Sequence, residues 1–245
     1  MTKSIKVGCC GFGGSQEQYY KRFNVVEVQQ TFYDPPEVKT LERWRQKAPA
    51  DFEFTIKAWQ IITHRSSSPT YKRMRKRFSE SELQQAGFFR NSEIVWRGFE
   101  KTIECALTLN ASAIVFQCPA SFKPSKENID KLCCFFSKAF EMIPHNLEKT
   151  RFVWEPRGDW GPEIIKHICD KFRLIDCVDI FARRPVTAEE FYIRLHGGKD
   201  YSHAYTDAEL DWLKKQLDEF DSGYCMFNNV SMLEDAQRFL MVLKR

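Results

Sequence analysis

Along this chain, short apolar runs end repeatedly in residues of a type that binds or reacts: Glu27, Lys57, Gln117, Glu155, Arg157, Arg194, His196 and Asn228. The runs themselves, such as Ala113-Ile114-Val115-Phe116 and Phe152-Val153-Trp154, read as strands buried on both faces. Glu155 and Arg157 are two apart, so a continuing strand would turn both side chains the same way, and Arg194 with His196 repeats the spacing. If the four converge, they supply a carboxylate that serves as base or ligand, two guanidiniums that grip an anion, and an imidazole that titrates near neutral pH. Glu155 is therefore the candidate base or ligand, His196 the acid or ligand, and Arg157 with Arg194 the anion clamp. Gln117 and Asn228 would orient the substrate, and Lys57 would balance developing negative charge. The competing interpretation is a buried salt-bridge layer that closes a barrel mouth.

Other residues extend or restrict this chemistry. Glu27 begins a Glu-x-x-x-Thr-Phe-Tyr pattern that lets Tyr33 wall the mouth as a stacking or hydrogen-bonding surface, while Phe32 suits the core. Glu27 with Glu155 would make the carboxylate pair of a glycosidase if their separation allowed it. Glu155, Asp176 and His196 fall at successive strand ends and form a candidate site for Mn²⁺, Zn²⁺ or Mg²⁺, although no His-Glu-x-x-His or Cys-x-x-Cys spacing accompanies them. Of the nine cysteines, the adjacent pairs Cys9-Cys10 and Cys133-Cys134 do not match zinc spacing and are expected to be buried. A thiolate at Cys9 or Cys10 is the alternative, because the turn Gly11-Phe12-Gly13-Gly14 offers backbone amides nearby. Those glycines form no dinucleotide fingerprint, so no nucleotide cofactor is indicated.

The run Tyr71-Lys72-Arg73-Met74-Arg75-Lys76-Arg77 places five cations in seven positions. A solvated face is the ordinary reading of such a run. If it borders the same mouth, Lys72, Arg73, Arg75, Lys76 and Arg77 would attract a polyanion while Trp59, Tyr71 and Tyr201 stack bases.

The elements that must position these residues are strands near 5–8, 25–29, 52–57, 113–117, 151–155, 173–176, 191–195 and 224–227. Helical patterns lie at 36–47, 93–109, 126–142, 162–171, 207–220 and 232–243. Such alternation, in a chain of 245 residues, predicts one α/β domain over 1–245, a single (β/α)8 TIM-type barrel with a parallel sheet. Barrels of this kind place their sites at the carboxyl ends of the strands. The connection over about 58–91 is long enough to be functional or mobile, and it follows the third strand, so it should overhang that face. A net charge of +4 names no partner by itself. The absence of a long apolar run or signal-like leader predicts a cytoplasmic protein with no membrane partner and mostly reduced thiols, the odd cysteine count ruling out complete pairing.

Several local patterns, taken in order, resemble the YecE-like TIM barrels, a domain-of-unknown-function family numbered seventy-two. They are Val7-Gly8, Glu27 through Thr31-Phe32-Tyr33, Phe54-Thr55-Ile56-Lys57-Ala58 with Thr63-His64, and Val115-Phe116-Gln117. Glu155 with Arg157 and Trp160, Tyr192-Ile193-Arg194-Leu195-His196-Gly197 and Phe227-Asn228-Asn229 complete the series. The family's pattern places a His after the arginine of its fifth motif, whereas Gly158 follows Arg157 here, so no role for that histidine transfers. The resemblance implies the barrel fold and a shared pocket. It supplies no activity; the residues themselves lead to an enzyme acting on an anionic, phosphate-containing substrate, nucleic acid or a phosphorylated metabolite, by acid–base or metal-assisted hydrolysis such as phosphodiester cleavage. The alternatives are a noncatalytic nucleic-acid-binding protein and a sugar or sugar-phosphate enzyme.

Overall fold

Side chains alternate across a strand, and that alternation sorts each apolar run into an inward and an outward set. In the computed structural model, which describes residues 4–198 and 200–245, eight parallel strands close into a barrel in chain order. The first half of the chain runs β1 (Ser4–Cys9), α1 (Gln16–Tyr20), β2 (Val25–Val28), α2 (Gln30–Tyr33), α3 (Val38–Lys47), β3 (Glu53–Lys57), α4 (Gln60–Thr63), α5 (Glu80–Gln84), α6 (Glu93–Leu109) and β4 (Ala113–Gln117). The second half runs α7 (Lys126–Glu141), β5 (Arg151–Glu155), α8 (Pro162–Phe172), β6 (Ile175–Val178), β7 (Glu190–Leu195), α9 (Asp207–Leu217), β8 (Ser222–Phe227) and α10 (Met232–Leu243).

Phe54, Ile56, Phe116, Phe152 and Trp154 point outward and are buried beneath the helices, each worth roughly 1.5–3 kcal/mol of apolar burial. Val25, Val115, Val153, Cys177, Tyr192 and Met226 fill the barrel interior as a second apolar cluster. Polar layers cap this plug at both ends. At the amino-terminal end Lys6 pairs with Glu53, and Arg151 Nη2 donates to Glu190 Oε1 at 2.6 Å. In the middle, the Tyr192 hydroxyl lies 2.7 Å from Thr55 Oγ1 and donates to Glu27 Oε2 at 2.8 Å.

Besides the short extra helix α2 after β2, two connections depart clearly from one helix per strand. Residues 179–189 join β6 to β7 without a helix, and their Phe181 packs between Tyr205 and Trp212 with ring centroids 5.2 and 4.8 Å away. The excursion after β3, expected as one long functional or mobile loop, is folded: it holds α4, a 3-10 turn at Pro69–Arg73 and α5. It returns through Gly87, Phe88 and Phe89, all with positive φ, at 82°, 56° and 52°. Their amides donate to Ile61, Thr63 and Ile62 carbonyls at 2.8, 3.2 and 2.9 Å, so the return is tied to α4. The strain of two left-handed phenylalanines is offset by burying both rings.

Candidate functional site

Strand parity places Glu27, Lys57, Gln117, Glu155 and Arg194 inside the barrel at its carboxyl end. Gln117 pairs in register with Glu155 on the neighbouring strand, which brings their side chains together. From there a continuous polar chain forms. Lys57 Nζ donates to Gln117 Oε1 at 2.6 Å, Gln117 Nε2 to Glu155 Oε1 at 3.1 Å, and Arg194 Nη1 to Glu155 Oε2 at 2.7 Å. Arg194 Nη2 reaches Glu27 Oε1 at 3.0 Å, so this guanidinium joins the two carboxylates while 1% exposed. Arg157, which follows β5, donates its Nε to Glu155 Oε1 at 3.0 Å, and its Nη2 lies 2.9 Å from His196 Nε2.

An arginine nitrogen only donates, so that contact makes His196 Nε2 the acceptor and leaves the ring proton on Nδ1. Nδ1 faces Asp179 Oδ2 at 3.4 Å, and the same oxygen accepts the His196 amide at 3.0 Å. Asp179 thus sets the orientation of His196, although the sequence reading passed over it. It lies one residue beyond β6, and a strand end read at 178 would have drawn attention to it.

A cavity of about 300 Å³ opens at this face, lined by Lys57, Gln117, Arg157, Arg194, Tyr33 and Asn228, with His64 and Tyr201 on its wall. An adjoining hollow of about 510 Å³ is lined by Glu155, Arg157, Asp179 and His196. Seven of the eight expected strand-end residues therefore line two joined depressions that share Arg157 and Tyr201. Glu27 lines neither: it lies below, fully buried among Arg194, Tyr192 and Gln29.

The electrostatics follow from burial. Desolvation, with the Arg194 charge next, pushes the Lys57 ammonium down to about 7. Desolvation likewise pushes the His64 imidazole down to about 3, helped by the Lys57 charge; its Nδ1 lies 2.8 Å from Thr63 Oγ1. Burial alone would raise Glu155, but the Arg194 guanidinium, and after it Arg157, hold its carboxyl well below the usual range. Glu155 is consequently a poor proton acceptor, and the general-base role expected of it does not fit.

The metal-site expectation is also corrected. Asp176 pairs in register with the outward Trp154 and points away from the mouth, where Arg183 grips both its oxygens at 2.6 Å. Glu155 Oε1 accepts from Arg157 and Gln117 and its Oε2 from Arg194, so two guanidiniums already neutralise the carboxylate and would repel a cation there. Among the described residues, no group of three or more His, Cys, Asp or Glu is placed to hold a metal ion.

The thiols and the stacking aromatics divide. Cys9 and Cys10 are buried as expected, and desolvation pushes the Cys9 thiol up to about 12, against a nucleophilic role. Cys134, expected to be buried, is exposed on α7 and Cys133 is half-buried. Trp59 is core, 2% exposed, and is not free to stack on bases; Tyr71 is half-buried and donates its hydroxyl to the His64 carbonyl at 2.8 Å, and Tyr201 is exposed. Lys72, Arg73, Arg75, Lys76 and Arg77 are all exposed. Arg73 lies 3.6 Å over the Tyr33 ring, and with Arg75 it lines a groove of about 540 Å³ that meets the mouth at Tyr33. No helix among the described residues is long and apolar enough to cross a membrane.

Comparison with known proteins agrees with this architecture. The chain is 24% identical over 250 residues to the UPF0759 protein YunF of Bacillus subtilis, covering 88% of this chain and 80% of that one. A DUF72 family protein from Enterococcus faecalis superposes with a TM-score of 0.71 at 19% identity, over 99% of this chain and 98% of the other. A xylose isomerase domain containing protein from Salmonella typhimurium shares the barrel with a TM-score of 0.60 at 12% identity, each chain covered in full at 100%. Residues 15–245 match the family described as "Protein of unknown function DUF72", and the chain belongs to it.

Proposed function

We propose that the barrel mouth is the active site of an enzyme that takes a small anionic, phosphate-containing substrate and transforms it by acid–base chemistry. The observation that carries this reading is the convergence of Lys57, Arg157 and Arg194 on one cavity, against the two carboxylates Glu27 and Glu155. The cations do not share the work equally. Both terminal nitrogens of Arg194 are spent on Glu27 and Glu155, whereas Nη1 of Arg157 has no partner among the described residues. Arg157 is therefore the anion-binding arm, and Arg194 holds the layer together.

Proton transfer falls to Lys57, because a group whose pKa lies near the working pH exchanges protons most readily in both directions. His196, oriented by Asp179, stands on the far side of Arg157 and completes the site's polar contacts. Gln117, Asn228 and Tyr33 supply hydrogen bonds suited to hydroxyl groups such as those of a sugar phosphate. Calorimetric titration with inorganic phosphate tests the reading. Arg157→Ala should weaken binding roughly tenfold or more, since charge-assisted hydrogen bonds are lost. Equal binding by both proteins would remove the clamp.

A second reading has its own observation. The groove lined by Arg73 and Arg75 runs into the mouth at Tyr33, a path suited to a single-stranded polyanion. As a noncatalytic nucleic-acid-binding module, the protein would bind oligonucleotides with a salt dependence that falls when the five cations of the run are neutralised.

A further inference from the structure

We propose that Lys57 is a covalent nucleophile whose amine condenses with the carbonyl carbon of an anion-bearing aldehyde or ketone to form an imine. The proposal rests on the anion-binding reading of the mouth and names the substrate class within it. Lys57 ends β3 and lines the cavity while only 3% exposed, so its side chain forms part of the mouth's lining largely out of bulk water. Nζ donates to the neutral Gln117 at 2.6 Å and lies 3.9 Å from the centre of the Phe32 ring, yet it makes no ion pair among the described residues, and burial outweighs what those two contacts give the ammonium form.

The two carboxylates of the layer, Glu27 and Glu155, are already matched by the guanidiniums of Arg194 and Arg157. A neutral amine leaves that buried layer uncharged, and an ammonium adds an unmatched positive charge. Burial and Arg194 accordingly bring the ammonium down to about 7, which leaves free amine at neutral pH. The cavity's other candidate nucleophile is closed off: Cys118 Sγ accepts from Trp154 Nε1 at 3.3 Å, and burial pushes its thiol well up.

The step balances within the site. The nitrogen lone pair attacks the carbonyl carbon, the carbonyl π pair moves to oxygen, and one proton passes from nitrogen to that oxygen, giving a carbinolamine. The second nitrogen proton leaves with the hydroxyl as water, and the C=N bond forms. No oxidant or reductant is consumed. When the imine nitrogen is protonated, the face of Phe32 and the Gln117 carbonyl that held Nζ stand ready for the positive nitrogen. Nη1 of Arg157 binds the substrate anion, whether phosphate or carboxylate.

The test traps the imine in the whole protein. Protein, sodium cyanoborohydride and either dihydroxyacetone phosphate or pyruvate are combined near neutral pH, and adducts are located by intact mass and peptide mapping. One adduct per chain is expected, on Lys57, forming about tenfold faster than at any other lysine because ordinary lysines remain almost fully protonated there. Its rate should be half-maximal near pH 7, where the amine titrates. Inorganic phosphate should compete, and the faster probe identifies the anion.

Arg157→Gln should slow the adduct at Lys57 about tenfold and move its pH midpoint upward, because the Arg157 charge helps to depress the amine. Adducts spread evenly over the lysines, or none at Lys57 between roughly pH 6 and 9, overturn the proposal. Because mapping of the unmutated protein decides this, no variant need fold. Calorimetric phosphate binding separates the two failures. If it is retained without labelling, the imine alone is lost; if it too is absent, the anion-binding reading falls with it.

Discussion

Glu155 illustrates how a residue can be central to a site without carrying its reaction. Its two oxygens receive Arg157, Gln117 and Arg194, so the carboxylate acts as a fixed counter-charge. Glu155→Gln would leave the buried Arg194 with one carboxylate partner in place of two, and should cost roughly 3–5 kcal/mol in urea unfolding, as breaking a buried pair does. Lys57 behaves in the opposite sense. Its folded pKa, about 7, lies below that of an unfolded lysine, so the unfolded chain binds the extra proton between those values. Stability therefore rises with pH across that window, from about pH 7 toward the ordinary lysine value. A Lys57→Met variant lacks this dependence, so its stability relative to wild type should be highest at neutral pH and should decline steadily up to about pH 10. Paired denaturant curves at several pH values measure the difference, and a constant offset would show that Lys57 is not perturbed.

At the scale of elements, the segment between β3 and α6 decides what overhangs the mouth. Its returning turn packs so closely on the end of α4 that a Cβ added at Gly87 would sit 2.4 Å from the His64 carbonyl carbon and oxygen, at a φ of +82°. Gly87→Ala should lower stability by roughly 2–4 kcal/mol and weaken phosphate binding by displacing His64 from the cavity wall. The basic run on the same segment is exposed, with Arg73 resting on Tyr33. Neutralising Lys72, Arg73, Arg75, Lys76 and Arg77 together should flatten the salt dependence of any oligonucleotide binding, while each single change shifts stability by no more than about 0.5 kcal/mol. An unchanged salt slope would assign the run to solvated surface.

For the whole molecule, the closed barrel and its helical jacket predict a graded thiol response. Seven cysteines are buried, Cys133 is half-buried and Cys134 is exposed. In the folded protein Cys134 should react first with a soluble disulfide reagent, Cys133 more slowly, and the buried seven together as urea unfolds the barrel. Early reaction of Cys9, Cys10 or Cys118 would instead reveal a mouth that opens in solution. The connection from β6 to β7 is the place where the jacket lacks a helix, and the Phe181, Tyr205 and Trp212 cluster covers that side instead. The same connection supplies Asp179 to His196, so the helix-free side of the barrel is the one that orients this imidazole.

Read by itself, the sequence determined the barrel, the strand ends within a residue or two, and the strand-end residues that gather at one face. The reason is physical: strands buried on both faces must be apolar except where they emerge, so polar residues mark the emergence. Helices at Glu93–Leu109 and Met232–Leu243 were equally legible, because a long amphipathic period leaves little choice. Tertiary structure decided what local pattern leaves open. Whether Asp176 faces in or out depends on a single residue of parity, which closure of the barrel sets against Trp154. Which cation is free and which is spent depends on partners distant in the chain, as for Arg194 with Glu155, 39 residues away, and with Glu27 across the barrel on β2. The shift of Lys57 toward neutrality arises from desolvation and from charges on other strands, which exist only once the barrel has closed.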